Sequence, residues 1–181
     1  LEIIIAIPEK YTRYWDDLCN KFQFNIQHKI AVGGETRFHT VRNALPLSEN
    51  RELIAIHDGV RPFASNNTIG RCFTLAAEKG TAVPCIPIPE SIRCLDNNNN
   101  YPVNRDHYRL IQTPQVFQWE IIRKSYDQPY RAEFTDDASV AEKAGFPIFL
   151  TEGNYENIKI TTPVDFIYAE ALMKKYGEHL S

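Results

Sequence analysis

The chain has 181 residues, 43% of them hydrophobic and 24% charged, a length and balance that suit one folded domain and exclude intrinsic disorder. Twenty basic against 23 acidic residues leave a net charge of −3, which lacks the basic excess of a general nucleic-acid or membrane-surface binder. No apolar run reaches the roughly 20 residues of a membrane-spanning helix.

Leu1 opens directly on the apolar run Leu1-Glu2-Ile3-Ile4-Ile5-Ala6-Ile7. The run has neither the basic flank nor the cleavage site of a signal peptide, and it reads as an interior strand of a longer protein. Helical spacing follows from Tyr11 to Phe22, through Trp15 and Leu18. A short strand, Lys29 to Val32, ends in Gly33-Gly34, and a helix from Thr36 to Leu45 is closed by Pro46. Leu53 to Ile56 is a fully apolar strand stopped by His57-Asp58-Gly59. Ser65 or Asn66 is placed to cap a helix from Thr68 to Lys79, with Gly80 at its C-terminal end. Thr81 to Ile86 is the next strand.

This strand–helix alternation predicts an α/β fold: a Rossmann-like, mostly parallel sheet with helices on both faces. In such sheets ligands bind beyond the carboxyl ends of the strands. The rhythm breaks between Pro87 and Phe117, where strands at Ser91–Leu95 and Tyr108–Gln112 flank the turn-forming Asn97–Asn100. A protruding β-arm over residues 88–114 is the simplest reading. Helices are then expected at Gln118–Tyr126 and Asp136–Ala144, the second capped by Thr135. Strands at Pro147–Thr151 and Asn157–Ile160 and a helix at Val164–Tyr176 complete a single domain, 1–181.

Cys19, Cys72, Cys85 and Cys94 form no CxxC pair, and the five histidines form no metal-ligand motif. Free thiols in a reducing cytoplasm are expected. Asp58, after an apolar strand and before Gly59, suits a ribose hydroxyl, a magnesium ion or a plain turn cap. Gly33-Gly34-Glu35-Thr36 either feeds a ligand-binding helix N-terminus or makes a tight turn. Arg105, Arg109, Thr113, Thr135 and Lys159 offer the guanidinium, hydroxyl and ammonium groups that a phosphate monoester needs. The Walker A, GxGxxG, GxSxG and kinase signatures are all absent from these residues.

Five stretches, taken in order, resemble the 2-C-methyl-D-erythritol 4-phosphate cytidylyltransferases. They are Val32-Gly33-Gly34-Glu35-Thr36-Arg37, His57-Asp58-Gly59-Val60-Arg61-Pro62, Arg105 with Thr113-Pro114-Gln115, Thr135-Asp136-Asp137-Ala138-Ser139, and Glu156-Asn157-Ile158-Lys159-Ile160-Thr161. The resemblance spans nearly the whole chain. It implies a nucleotidyltransferase-like fold and a cytoplasmic, magnesium-dependent enzyme of isoprenoid precursor synthesis. That enzyme would transfer CMP from CTP to 2-C-methyl-D-erythritol 4-phosphate with release of pyrophosphate, as a homodimer clasped by the β-arm. By the same resemblance Arg105 and Lys159 position the acceptor phosphate, and Arg61, Ser91, Thr113 and Thr135 supply further phosphate contacts. Gly34, Glu35 and Thr40 match the cytosine stretch, and Asp58 and Gly59 match the ribose and metal region, with Asp58 the metal ligand.

The sequence departs from the family at Glu90-Ser91-Ile92-Arg93, where Ser91 replaces a threonine. The family's opening strand and Gly-rich loop, whose Arg and Lys hold the triphosphate, have no counterpart here, so the chain is expected to be an N-terminally incomplete version. A ribitol-5-phosphate cytidylyltransferase and a non-catalytic nucleotide-binding dimer are the alternatives.

Overall fold

The computed structural model describes residues 2–49 and 51–177; the expectations placed on Leu1 and His179 lie outside the described residues. The chain divides into two compact units, Leu1–Ile54 with Phe117–Ile148, and Ala55–Val116 with Phe149–Ser181.

In the first unit β1 (Ile4–Ile7) pairs in parallel with β2 (Lys29–Val32), Ile5 opposite Ile30. Between them α1 (Thr12–Lys21) follows a 3-10 turn at Glu9–Tyr11. The α2 helix (Arg37–Ala44) is capped by Thr36, whose hydroxyl oxygen accepts from the His39 amide. Later in the chain come α4 (Trp119–Ser125) and α5 (Asp137–Lys143). The core gathers around Phe38, 4% exposed, whose ring stacks on Tyr126 at 4.7 Å and on Phe134 at 5.6 Å between centroids. Each such aromatic pair adds about 0.5–1.5 kcal/mol beyond the area it buries.

A five-stranded sheet runs in the order β3 (Leu53–Ile56), β8 (Gln115–Gln118), β4 (Thr81–Pro87), β7 (Arg109–Ile111), with β9 (Leu150–Glu152) also paired to β4. The β4–β9 pair is parallel and β4–β7 antiparallel, so the fold is α/β with parallel and mixed sheets. Thr81, Ala82, Val83 and Pro84 are all buried, as expected of a strand with neighbours on each side. The α3 helix (Asn66–Lys79) precedes β4; Ser65 caps its start, and Gly80 ends it at φ 94°, a conformation glycine adopts without strain. The last element among the described residues is α6 (Pro163–Gly177).

Four expectations are corrected. The hairpin joins β5 (Arg93–Asp96) to β6 (Asn99–Pro102), with Asn97 at φ 49° in its turn. Tyr108–Gln112 is not its second strand; residues 109–111 pair with β4 in the sheet. The cap of α5 is Asp136, not Thr135: its carboxylate accepts from the Ser139 amide at 2.9 Å while the Asp136 amide donates to Ser139 Oγ, a reciprocal capping box. The stretch Asn157–Ile160 forms no strand, and the strand expected at Pro147–Thr151 is the shorter β9, shifted to Leu150–Glu152.

Candidate active site

In the second unit the apolar strand β3 gives way to the turn His57–Arg61, closed by the Arg61 amide donating to the Asp58 carbonyl at 3.0 Å. The imidazole reinforces it, with Nε2 lying 2.9 Å from the Arg61 carbonyl and so carrying the proton. The other ring nitrogen, Nδ1, faces Thr113 Oγ1 at 2.9 Å. Thr113 Oγ1 in turn accepts from the Asp58 amide at 3.0 Å. His57 therefore sits between a carbonyl acceptor and a hydroxyl donor, and loss of water around the ring lowers its pKa below the usual value.

The Asp58 carboxylate is the centre of charge. Its Oδ2 lies 3.3 Å from Lys159 Nζ and 3.6 Å from Arg61 Nε. Asp58 and Arg61 are 13% exposed in their side chains and Lys159 46%. The two cations thus face one anion at a strand's C-terminal end, with the ammonium reaching solvent. Arg61 is fixed from behind by Nη1 donating to the Asn157 carbonyl at 2.8 Å. An incoming phosphate, a stronger multivalent acceptor, can compete with Asp58 for both cations.

The other sequence-predicted residues of this unit lie as follows. Thr113 is 4% exposed and engaged by His57 and Asp58, so it acts on the turn that holds Asp58. Gly59 is exposed, and a side chain there would meet nothing within 4 Å. Arg105 begins a 3-10 turn capped by Asn104 and donates to the Pro89 carbonyl. Ser91 is exposed just ahead of β5, and the Arg109 guanidinium is taken by the carbonyls of Asp106 and Tyr108.

In the first unit the turn after β2 is shaped by close packing. The Gly34 amide donates to Thr40 Oγ1 at 3.0 Å, and a Cβ on Gly34 would overlap His39, lying 2.8 Å from its carbonyl carbon. Glu35 is exposed beside this turn. Thr135, also exposed, lines a water-sized cavity of about 10 Å³ with Arg37, Phe38 and Tyr126. Beneath it lies a cluster that the sequence did not disclose. Asp137, fully buried, accepts from Arg37 Nη2 at 2.6 Å and from the Tyr126 hydroxyl at 2.6 Å. Burial and the neighbouring carboxylate push the Tyr126 phenol well above its ordinary value. Arg37 and Asp137 are 100 residues apart, and no local pattern joins them.

An α/β fold with a carboxylate facing two cations beyond an apolar strand suits a protein that binds phosphorylated ligands at its strand ends. Comparison with known proteins sharpens this. The sequence profile of the family described as 2-C-methyl-D-erythritol 4-phosphate cytidylyltransferase matches residues 1–175, and the chain belongs to that family. A Bacteroides fragilis protein of that name is 46% identical over 173 residues, 96% of this chain and 79% of the relative. One from Porphyromonas gingivalis is 46% identical over 172 residues, 94% and 78%. Among solved structures, a 4-diphosphocytidyl-2C-methyl-D-erythritol synthase from Anaerococcus prevotii superposes with TM-score 0.84 at 27% identity, covering 96% of this chain and 81% of that one. Members of the family are cytidylyltransferases, a kind of nucleotidyltransferase.

Proposed function

We propose that this chain transfers CMP from CTP to 2-C-methyl-D-erythritol 4-phosphate, a step of isoprenoid precursor synthesis. An oxygen of the acceptor phosphate bonds to the α-phosphorus of CTP, the bond from that phosphorus to the β-phosphate bridge breaks, and pyrophosphate leaves. The substrate brings its own nucleophile, so the protein's task is to align two polyanions and neutralise their charge. Lys159 and Arg61 hold the acceptor phosphate, with Arg105, Ser91 and Thr135 contributing further contacts in the working assembly. Gly34, Glu35 and Thr40 face the cytosine.

Among the described residues no group of three or more His, Cys, Asp or Glu side chains gathers as a metal site. On the family resemblance Asp58 is the carboxylate that would hold a magnesium ion, and one carboxylate shared with substrate phosphates fits that ion's preference for oxygen ligands and retained water. Bound there, the ion would offset charge on the triphosphate. We further place the enzyme in the cytoplasm as a homodimer joined through the β5–β6 hairpin.

The observation that carries the reading is Lys159 and Arg61 converging on Asp58, within two of the five stretches that mark the family. The test is pyrophosphate release from CTP by the full-length protein with each acceptor in turn. Turnover with methylerythritol phosphate is expected; preference for ribitol 5-phosphate, or CTP binding without turnover, would refute it.

A further inference from the structure

Lys159 stands on a segment without regular structure. Between β9 and α6 no strand or helix fixes the backbone, so something else must set where the ammonium sits. Three backbone hydrogen bonds flank it, and two of them are local: the Asn157 amide donates to the Asn154 carbonyl at 3.1 Å, the Ile158 amide to the Glu156 carbonyl at 2.7 Å, and the Ile160 amide to the Val60 carbonyl at 2.9 Å.

We propose that Asn157 is the positioning residue of this site, the buried joint that sets Lys159, Arg61 and Thr113 in mutual register. Asn157 is fully buried. Its Nδ2 donates to the Thr113 carbonyl at 2.8 Å and, at 3.5 Å, to Gln112 Oε1. Its own carbonyl accepts from Arg61 Nη1 at 2.8 Å and from Gln112 Nε2 at 3.4 Å. One residue thus ties the loop of Lys159 to the β7–β8 connection and to the His57–Arg61 turn. Gln112, 4% exposed, completes the joint by donating to the Asn154 carbonyl at 2.9 Å and accepting from the Asn154 amide at 3.3 Å.

The chemistry is particular to an amide. Aspartate has nearly the same shape, but as a carboxylate it has no donor for the Thr113 carbonyl and would turn an oxygen toward one. Alanine leaves that buried carbonyl without its partner. Two buried polar atoms in this joint lack a hydrogen-bond partner, Asn157 Oδ1 and Arg61 Nε, and Arg61 Nε faces Asp58 at 3.6 Å. Arg61 thus bonds the Asn157 carbonyl through Nη1 while its Nε stays 3.6 Å from Asp58 Oδ2, an ion pair without a hydrogen bond at that nitrogen.

The kinetic arm of the test rests on the proposed transferase reading; an exchange arm stands apart from it. In the full chain, Asn157→Ala and Asn157→Asp are expected to lower kcat/KM for the acceptor by about 10- to 100-fold, the scale of a roughly 1 Å misplacement. Adding Asn157→Ala to Lys159→Ala should slow that variant by clearly less than the product of the two single losses, since Asn157 acts in large part through Lys159; a merely structural role would multiply the two losses. Amide hydrogen exchange at Ile158–Ile160 should quicken by about tenfold or more in both variants, with the amides of α3 unchanged. Turnover within about threefold of the parent, multiplying losses, or unchanged exchange at Ile158–Ile160 would overturn the proposal. A full-length parent that fails to turn over defeats the transferase reading, and the exchange result alone then decides for or against Asn157.

Discussion

The buried cluster of the first unit makes the most quantitative prediction. Arg37→Met removes the cation 2.6 Å from a carboxylate that has no exposure to solvent, leaving Asp137 with the Tyr126 hydroxyl. Breaking a buried pair from one side costs about 3–5 kcal/mol, because the remaining charge stays desolvated. Arg37 is itself 35% exposed, so water can enter its place and the loss should fall near 3 kcal/mol, at the lower end of that range. For a chain of this size that is a fall in Tm of roughly 6–12 °C. Thermal and urea unfolding followed by circular dichroism measure it. The triple replacement Arg37→Met, Tyr126→Phe, Asp137→Leu removes the charge together with its partners, and should recover most of the loss. A single variant within about 1 kcal/mol of the parent, or a triple variant worse than the single one, would refute the reasoning.

The same cluster predicts an alkaline limit. The Tyr126 pKa is raised in the folded protein above the ordinary 10.0, so above about pH 10 the unfolded chain loses a proton that the folded one keeps, and stability falls as pH rises. Tyr126→Phe should remove that part of the slope in unfolding experiments between pH 9 and 11, whereas parallel curves for the two proteins would exclude it. Thr113→Val keeps shape but removes the acceptor of the Asp58 amide and the hydroxyl facing His57; about 1–3 kcal/mol of stability should go with it, read from urea midpoints. Gly34→Ala should push His39 and the α2 entry apart, weakening CTP binding in calorimetric titration far more than acceptor binding.

Much of the fold is legible in the residues themselves. Lys29–Val32 and Leu53–Ile56 are apolar runs bounded by glycine or polar punctuation, and both form strands over those residues. Ser65 and Gly80 delimit α3 because each carries out a backbone task its side chain, or lack of one, suits. The misreadings have physical causes. Asn99–Pro102 becomes a strand through pairing with β5, against the low strand preference of asparagine. Asn157–Ile160 has strand-like alternation, but its backbone groups go to Asn154, Arg61, Gln112 and Val60 and no ladder forms. Asp136 takes the cap that Thr135 was expected to hold, because Ser139 three residues on returns the bond.

The site divides the same way. Asp58, Arg61 and Lys159 are visible as charged residues at strand ends and loops, and the structure brings those three together. What the sequence hides is support: Asn157, Gln112, and the Arg37–Asp137–Tyr126 cluster are polar residues made important only by burial. Their partners lie between 11 and 100 residues away, beyond the reach of any local pattern.

The central claim is that Lys159 and Arg61, facing Asp58, hold an acceptor phosphate while CMP is transferred to it. Pyrophosphate release from CTP and 2-C-methyl-D-erythritol 4-phosphate, by the full-length parent and by Lys159→Ala made in it, tests it most directly. The parent should turn over, and Lys159→Ala should lose at least about 100-fold in kcat/KM, the scale of one lost transition-state contact, with its unfolding midpoint unchanged. A Lys159→Ala variant that keeps near-parental turnover would contradict the account.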